Sequence, residues 1–263
     1  MKSVILRAKK RVLSSRVGLF QSRSKEGVDF DELVEYDFQS DARKIDWLSY
    51  ARTGELYQKR YLNENARNIL IVPILTGSLL FGYDRLVYER VIEAAALLAF
   101  SAILGKDKTH ILCIVGDKAT SYHPQNFPQA QQALEKIAQS DILGVDFAYD
   151  FSRLFSHPKS LIVLLGDFLY RPDLKLIAAK HDVVCVMFQE PVIPYEEPIN
   201  LTDNVTLQKR GTTLGKRAVQ KYLQRREAFH QELASEWIRE RIDHTIIENE
   251  PIFEKLQLFF GRR

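Results

Sequence analysis

From residue 69 onward, short apolar runs alternate with stretches of helical periodicity, the pattern of a mostly parallel sheet covered by helices on both faces. The first run, Ile69 to Thr76, holds apolar residues or proline at seven of its eight positions and leads into the small-residue turn Thr76-Gly-Ser78. It predicts a central strand, and in an open α/β sheet ligands bind at the turn after such a strand. Further strands are expected over His110–Val115, Ser160–Leu165, Asp182–Phe188 and His244–Ile247, with a short edge strand over Lys118–His123 ended by Pro124. Tyr83 to Leu104 predicts a long helix stopped by Gly105. Shorter helices are expected over Phe127–Gln139, Phe147–Phe155 and Ile252–Phe260, and over Pro172–Lys180, where proline suits a first turn. Leu214 to Ile242 is a long charged helix with Leu214, Ala218, Tyr222, Phe229, Leu233 and Trp237 as its core stripe. Pro191 to Pro198 reads as a loop and Val205 to Gln208 as an edge strand.

The N-terminal part has another texture. Val4, Ile5, Ala8, Val12 and Leu19 recur with helical spacing among basic residues, a basic and partly helical arm. Leu33–Phe38 and Leu56–Leu62 alternate as strands do, and Ser40–Gly54 between them reads as a structured loop with a helical turn around Trp47. The expected organisation is a basic arm and β-rich extension over residues 1–65, then an α/β domain with C-terminal helices over residues 66–263.

Composition adds little to the fold and more to the choice of partner. The 263 residues are 46% apolar and 27% charged, which suits an ordinary globular protein. A net charge of +3 hides two basic stretches: Met1 to Lys25 holds eight Lys or Arg and no acid, and Asn204 to Arg226 holds seven and no acid. Such stretches meet acidic protein surfaces, nucleic acid or anionic lipid, or are simply solvated. Charge interrupts the N-terminus too early for the apolar core of a signal peptide. The longest uncharged apolar run, between Glu93 and Lys106, is too short for a spanning helix, so the cytoplasm is the expected compartment. Cys113 and Cys185 lie within apolar runs and read as core thiols, while the six histidines show no His-x-x-x-His spacing.

The run from Glu35-Tyr36 through Asp41-Ala-Arg43-Lys-Ile-Asp46-Trp47 to Ala51-Arg52 resembles the signature of a bacterial family known as domain of unknown function fifty-eight. Leu161 to Phe168, His181-Asp-Val-Val-Cys-Val and the Phe-Phe-x-Arg-Arg ending are similar to later segments of that family, so the likeness runs through nearly the whole chain. Val34 departs from the family's arginine, and Gln39-Ser40 from its Pro-Gly. The resemblance implies a von Willebrand factor A-like (Rossmann-like) domain, with its second strand outside the first and its fifth beyond the fourth. That order puts Cys113 and Cys185 on opposite sides of the sheet centre, too far apart for a disulfide. It also implies a non-enzymatic adaptor or partner of a MoxR-type AAA+ ATPase, acting on a client protein.

Domains of this kind hold Mg²⁺ through an Asp-x-Ser-x-Ser turn after the first strand, a loop threonine and an aspartate after the fourth strand. Carried over, the resemblance puts Ile74 at the turn's aspartate, Thr76 and Ser78 at its hydroxyls, and Asp167 at the fourth-strand acid; Val145 takes the threonine's place if Gly144–Asp146 is the loop. One carboxylate and two hydroxyls hold a hydrated dication poorly, so a degenerate site is expected and no cofactor with it. The alternative is a metal-dependent ligand-binding domain that keeps Mg²⁺ on these residues. Thr76 and Ser78 read equally as caps of the following helix, and Asp167 as a turn residue. Ser78 has no His or Lys as a sequence neighbour to activate it as a nucleophile.

Two surfaces are candidates for a partner. Arg43, Asp46 and Arg52 read either as an ion-pair network around a buried Trp47 or, with Tyr36, Trp47 and Tyr50, as a contact patch of the kind rich in aromatics and arginine. Lys216, Arg217, Lys221 and Arg225 form the basic outer face of the long helix. Binding of nucleic acid through the basic stretches is a third functional reading.

Overall fold

The computed structural model describes residues 1–15, 19–20, 30–36, 45–61, 66–248 and 250–263. The chain forms two compact units: one comprises Met1–Gln21 with Arg67–Arg263, the other Ser22–Ala66.

In the larger unit a six-stranded sheet runs β10 (Asp243–Ile247), β7 (Asp182–Phe188), β6 (Leu161–Gly166), β3 (Asn68–Leu75), β4 (Lys108–Val115), β5 (Lys118–Tyr122). All neighbours are parallel except β5, which returns antiparallel to β4 through a tight turn at Gly116. The second strand of this sheet lies outside the first and the fifth beyond the fourth, as the resemblance implies. β3 is buried from Ile69 to Leu75, so the first apolar run is the centre of the sheet. Pro73 interrupts it: pairing with β4 stops at Ile71 and resumes at Ile74, because proline has no N–H to give.

Alternation along the strands divides the core. Ile69, Ile71 and Leu75 pack towards α1 (Lys2–Ser15), α3 (Val87–Leu104), α4 (Phe127–Ile137) and α7 (Ile252–Arg262). Leu70, Val72 and Ile74 face α5 (Lys175–Ala178), a 3-10 segment at Phe151–Ser156 and α6 (Lys216–Arg239). The expected α1 stripe of Val4, Ile5, Ala8 and Val12 is buried, with Leu6 and Leu13 exposed on its back. Cys113 and Cys185 are free, buried, and in opposite layers. No helix among the described residues is long and apolar enough to cross a membrane.

Several expected elements differ. Phe147–Phe155 is not an α-helix but an extended stretch leading into the short 3-10 segment, where Phe151 and Leu154 reach the core. Pro172–Lys180 shrinks to the single turn Lys175–Ala178, since Leu174 must turn inward ahead of it. Val205–Gln208 is no strand. It belongs to the turn of an antiparallel hairpin, β8 (Tyr195–Thr202) and β9 (Lys209–Leu214), whose first strand starts inside the stretch read as a loop. On α6 the buried stripe is Val219, His230, Leu233 and Trp237, while Ala218 and Tyr222 are exposed, so the stripe is in a different phase along the first half of the helix.

The smaller unit contains the antiparallel pair β1 (Phe30–Glu35) and β2 (Tyr57–Tyr61), with α2 (Trp47–Thr53) between them in sequence. α2 starts at Asp46, whose carboxylate accepts from the Leu48 N–H at 3.3 Å, and ends at Gly54 with φ 76°.

Candidate functional site

β3 and β6 are neighbours and end level with each other, so Thr76 and Asp167 leave the sheet side by side at its C-terminal edge. Ile74, 1% exposed, points into the core layer beneath them. The hydroxyls of Thr76 and Ser78 bond to each other at 2.8 Å across a single 3-10 turn at Gly77–Leu79. α3 does not begin until Val87, so neither hydroxyl caps it.

Asp167 is 6% exposed. Its Oδ1 accepts from the Leu169 N–H at 3.4 Å, and its Oδ2 has no hydrogen-bond partner among the described residues. Burial raises its pKa above the usual carboxylate value, with the nearby Ser78 hydroxyl and the Leu169 N–H pulling the other way. The following residue, Phe168, has φ 47°, a conformation that costs a bulky residue energy; its buried ring against Trp237, at 5.1 Å, helps to hold it there.

α6 brings His230 and Arg226 to the same place. Together with Ser78, Asp167, Gln189 and Tyr222 they line a cavity of about 40 Å³, close to the space one water molecule fills. His230 Nδ1 lies 2.7 Å from Gln189 Nε2, so the ring is the acceptor and its proton is on Nε2. Burial first, and Arg226 second, lower the His230 pKa to about 4, which keeps the imidazole neutral. Arg226 donates to the Glu190 carbonyl at 2.8 Å. Deeper in, the buried Arg90 of α3 binds the Glu190 carboxylate at 3.0 Å and the Gln189 and Ile247 carbonyls at 3.0 and 3.1 Å, tying together the ends of β7 and β10.

The other side of the crevice is occupied by the turn of the β8–β9 hairpin. Asp203 Oδ1 accepts from the N–H groups of Val205 and Thr206, at 2.9 and 3.2 Å, and shapes the turn. The Asn204 carbonyl accepts from Gly144 N–H at 2.8 Å, and the Asn204 side chain donates to the Leu80 carbonyl at 2.9 Å. Gly77 donates to the Val145 carbonyl at 2.8 Å, so the loop Gly144–Asp146 does lie beside the β3 turn, with Val145 in it. Among the described residues no group of three or more His, Cys, Asp or Glu is gathered as a metal ion would require.

The family described as Protein of unknown function DUF58 matches residues 32–233. The chain belongs to this family. No curated protein matches it. The span common to the family includes the Trp47 segment, the β3 turn, Asp167, the hairpin and His230.

The two candidate partner surfaces lie in separate units. In the smaller one Trp47 is 61% exposed, so it is not a buried anchor; Asp46 caps α2 and accepts from the Ser49 hydroxyl at 2.9 Å. Leu48 and Tyr50 are also exposed, and the Trp47 and Tyr50 rings meet edge to face at 6.1 Å. Arg52 is exposed, Tyr36 is half-buried, and Arg43 lies outside the described residues. In the larger unit Lys216, Arg217, Lys221 and Arg225 are all exposed on α6. Sequence reasoning missed His230, Gln189 and Arg90, which come from distant elements and share no motif spacing; the one available signal was a polar residue in the correctly phased stripe of α6.

Proposed function

We propose that this chain is a non-enzymatic protein-binding adaptor, partner of a MoxR-type AAA+ ATPase as its family resemblance implies, in which a von Willebrand factor A-like domain carries a degenerate metal site. The observation that supports protein binding is the exposure of Trp47, Leu48 and Tyr50 on one short helix within the family's signature. Neighbouring exposed aromatics and a leucine on one short helix make a contiguous apolar patch of the kind that partners cover, and Trp, Tyr and Arg dominate interface energetics. The exposed cations of α6 are a second, independent surface, suited to an acidic partner.

The crevice supports the degenerate reading. Mg²⁺ takes about six hard oxygens and relies on carboxylates for charge. Here Ile74 supplies none, the Thr76 and Ser78 hydroxyls are bonded to each other, Asp167 is the one acid at the motif positions, and the Glu190 carboxylate that also lines the cavity is held by Arg90. The residues present do not fit the ion.

The test is binding of the purified chain to the MoxR-type ATPase encoded nearest to it, with and without ATP. Trp47→Ala should weaken the complex at least about tenfold, the loss of a hot-spot side chain. Absence of a complex in both nucleotide states sinks the ATPase assignment, and an unchanged affinity in Trp47→Ala sinks the surface. The metal-dependent alternative is favoured by the orphaned Asp167 Oδ2; calorimetric heat on adding Mg²⁺, lost in Asp167→Asn, would establish it in place of the degenerate site. Retention on DNA or RNA that falls steeply with salt would favour the nucleic-acid reading.

A further inference from the structure

The sheet brings together two histidines that the sequence keeps thirteen residues apart on either side of a turn. β4 and β5 pair with Ile111 opposite Tyr122, so the next step of the same register sets His110 opposite His123. Both side chains then emerge on one face, since directly opposed residues of an antiparallel pair share a face. Their ring centres are 4.4 Å apart with the planes at 89°, which rules out face-to-face stacking.

That separation has a chemical meaning. An imidazole nitrogen binds zinc at about 2.0–2.1 Å, so each ring centre would stand roughly 3.2 Å from a shared ion, and a right angle at the ion would separate the centres by about 4.5 Å. The Ser121 hydroxyl lies 3.2 Å from His123 Nε2, leaving Nδ1 as the free donor and orienting the ring as outer partners of metal-bound histidines do. The pair opens into a surface hollow of about 520 Å³, also lined by Lys106, Asp107, Lys108 and Thr109. The Asp107 carboxylate is taken by Arg67, through its N–H at 3.0 Å and its guanidinium at 3.6 Å, so it leaves the two imidazoles as the donors. Burial first, then the neighbouring His123, His157 and Lys108, hold the pKa of His110 below the ordinary histidine value, so its ring is neutral and has a lone pair at neutral pH.

We propose that His110 and His123 form a bidentate site for an imidazole-preferring first-row dication (copper, nickel or zinc), with the remaining coordination positions open to solvent or to a donor from another molecule. The site is separate from the crevice at Asp167: it lies at the opposite, N-terminal end of β4 and takes a different class of ion. Two imidazoles offer Mg²⁺ and Ca²⁺ none of the oxygen ligands those ions take, whereas nitrogen donors favour the softer ions in the order copper above nickel and zinc.

The experiment uses the full chain without a polyhistidine tag, titrated with Cu²⁺, Ni²⁺, Zn²⁺ and Mg²⁺ by calorimetry, with thermal unfolding in parallel. One ion per chain should bind, copper most tightly and magnesium not at all, and saturating Zn²⁺ should raise Tm by several degrees because it staples the edge strand to the sheet. The exposed His123→Gln should lose at least about tenfold in zinc affinity and all of the Tm rise, as should His110→Gln. The double variant should be no weaker than either single one, since both rings are needed for one chelate. His157→Gln should bind as the unmodified chain does. Additive losses, a double variant that still binds one ion like the unmodified chain, or equal dependence on His157 would each overturn the site.

Discussion

The carbonyl oxygen of Asn204 stands where a side chain on Gly77 would begin: a Cβ there would be 2.2 Å from it. A residue just beyond the central strand and the tip of a distant hairpin are thus locked by the absence of one methyl group. Gly77→Ala forces the backbone of the hairpin turn away and breaks the Gly144–Asn204 hydrogen bond with it. It should destabilise the larger unit by about 1–3 kcal/mol, the usual cost of overpacking, and open the segment around residues 195–214 to protease. Urea unfolding with limited proteolysis checks this; unchanged cleavage would mean that the turn accommodates the methyl.

Removing the Arg90 guanidinium should be among the most damaging substitutions in the chain. It would leave the nearly buried Glu190 carboxylate without its cation and the Gln189 carbonyl without its side-chain donor, and the Ile247 carbonyl with the Gln189 N–H in place of two donors. Arg90→Met is expected to cost about 3–5 kcal/mol. Adding Glu190→Gln to it should cost less than the sum of the two single changes, because the uncompensated charge is then gone. Additive losses in a double-mutant cycle would show that the pair is not coupled.

His230 makes the fold acid-sensitive. Its folded pKa of about 4 lies below the ordinary histidine value of 6.5, so the unfolded chain binds the proton more tightly. Stability contributed by the neutral ring is complete above pH 6.5 and is lost as pH falls towards 4. Lowering the pH from 7 to 4.5 should cost about 2 kcal/mol more in the unmodified chain than in His230→Gln, read from urea midpoints at the two pH values.

Asp167 acts with the opposite sign. A folded pKa raised by burial means that the folded state holds the proton more tightly, so stability falls as pH rises from the ordinary carboxylate value through the raised one. Asp167→Asn should therefore raise stability at pH 7, by on the order of 1 kcal/mol, since a buried oxygen without a partner no longer carries charge. A loss of stability at pH 7 in this variant would show that the carboxylate is satisfied in the folded protein.

How far these features can be read from sequence depends on whether they are local. β3, β4, β6 and β7 are continuous apolar runs bounded by polar residues, and alternation with helices makes their parallel order legible. Thr76, Ser78 and Asp167 are legible for the same reason, since they follow directly on those runs. The hairpin is not: Pro191, Pro194 and Pro198 mask the start of β8, and the apolar Val205 and Leu207 belong to a turn whose shape is set by the Asp203 carboxylate. Trp47 is misplaced by a rule of averages, because tryptophan is usually buried and nothing in the residues around it marks this one as exposed. His230 and Arg90 meet the crevice through tertiary packing alone, and no spacing in the chain announces it.

The division of the chain has a consequence for how it emerges from the ribosome. α1 is made before the smaller unit, yet its buried face of Val4, Ile5, Ala8 and Val12 packs into a layer most of whose members follow Arg67. Ser22–Ala66 is thus an insertion held at both ends by the α/β unit, and is synthesised before that unit has a core to offer. The first helix must wait, apolar side exposed, through the making of a whole second unit before its partner α3 appears, an interval in which a nascent chain is open to chaperones and to misassembly.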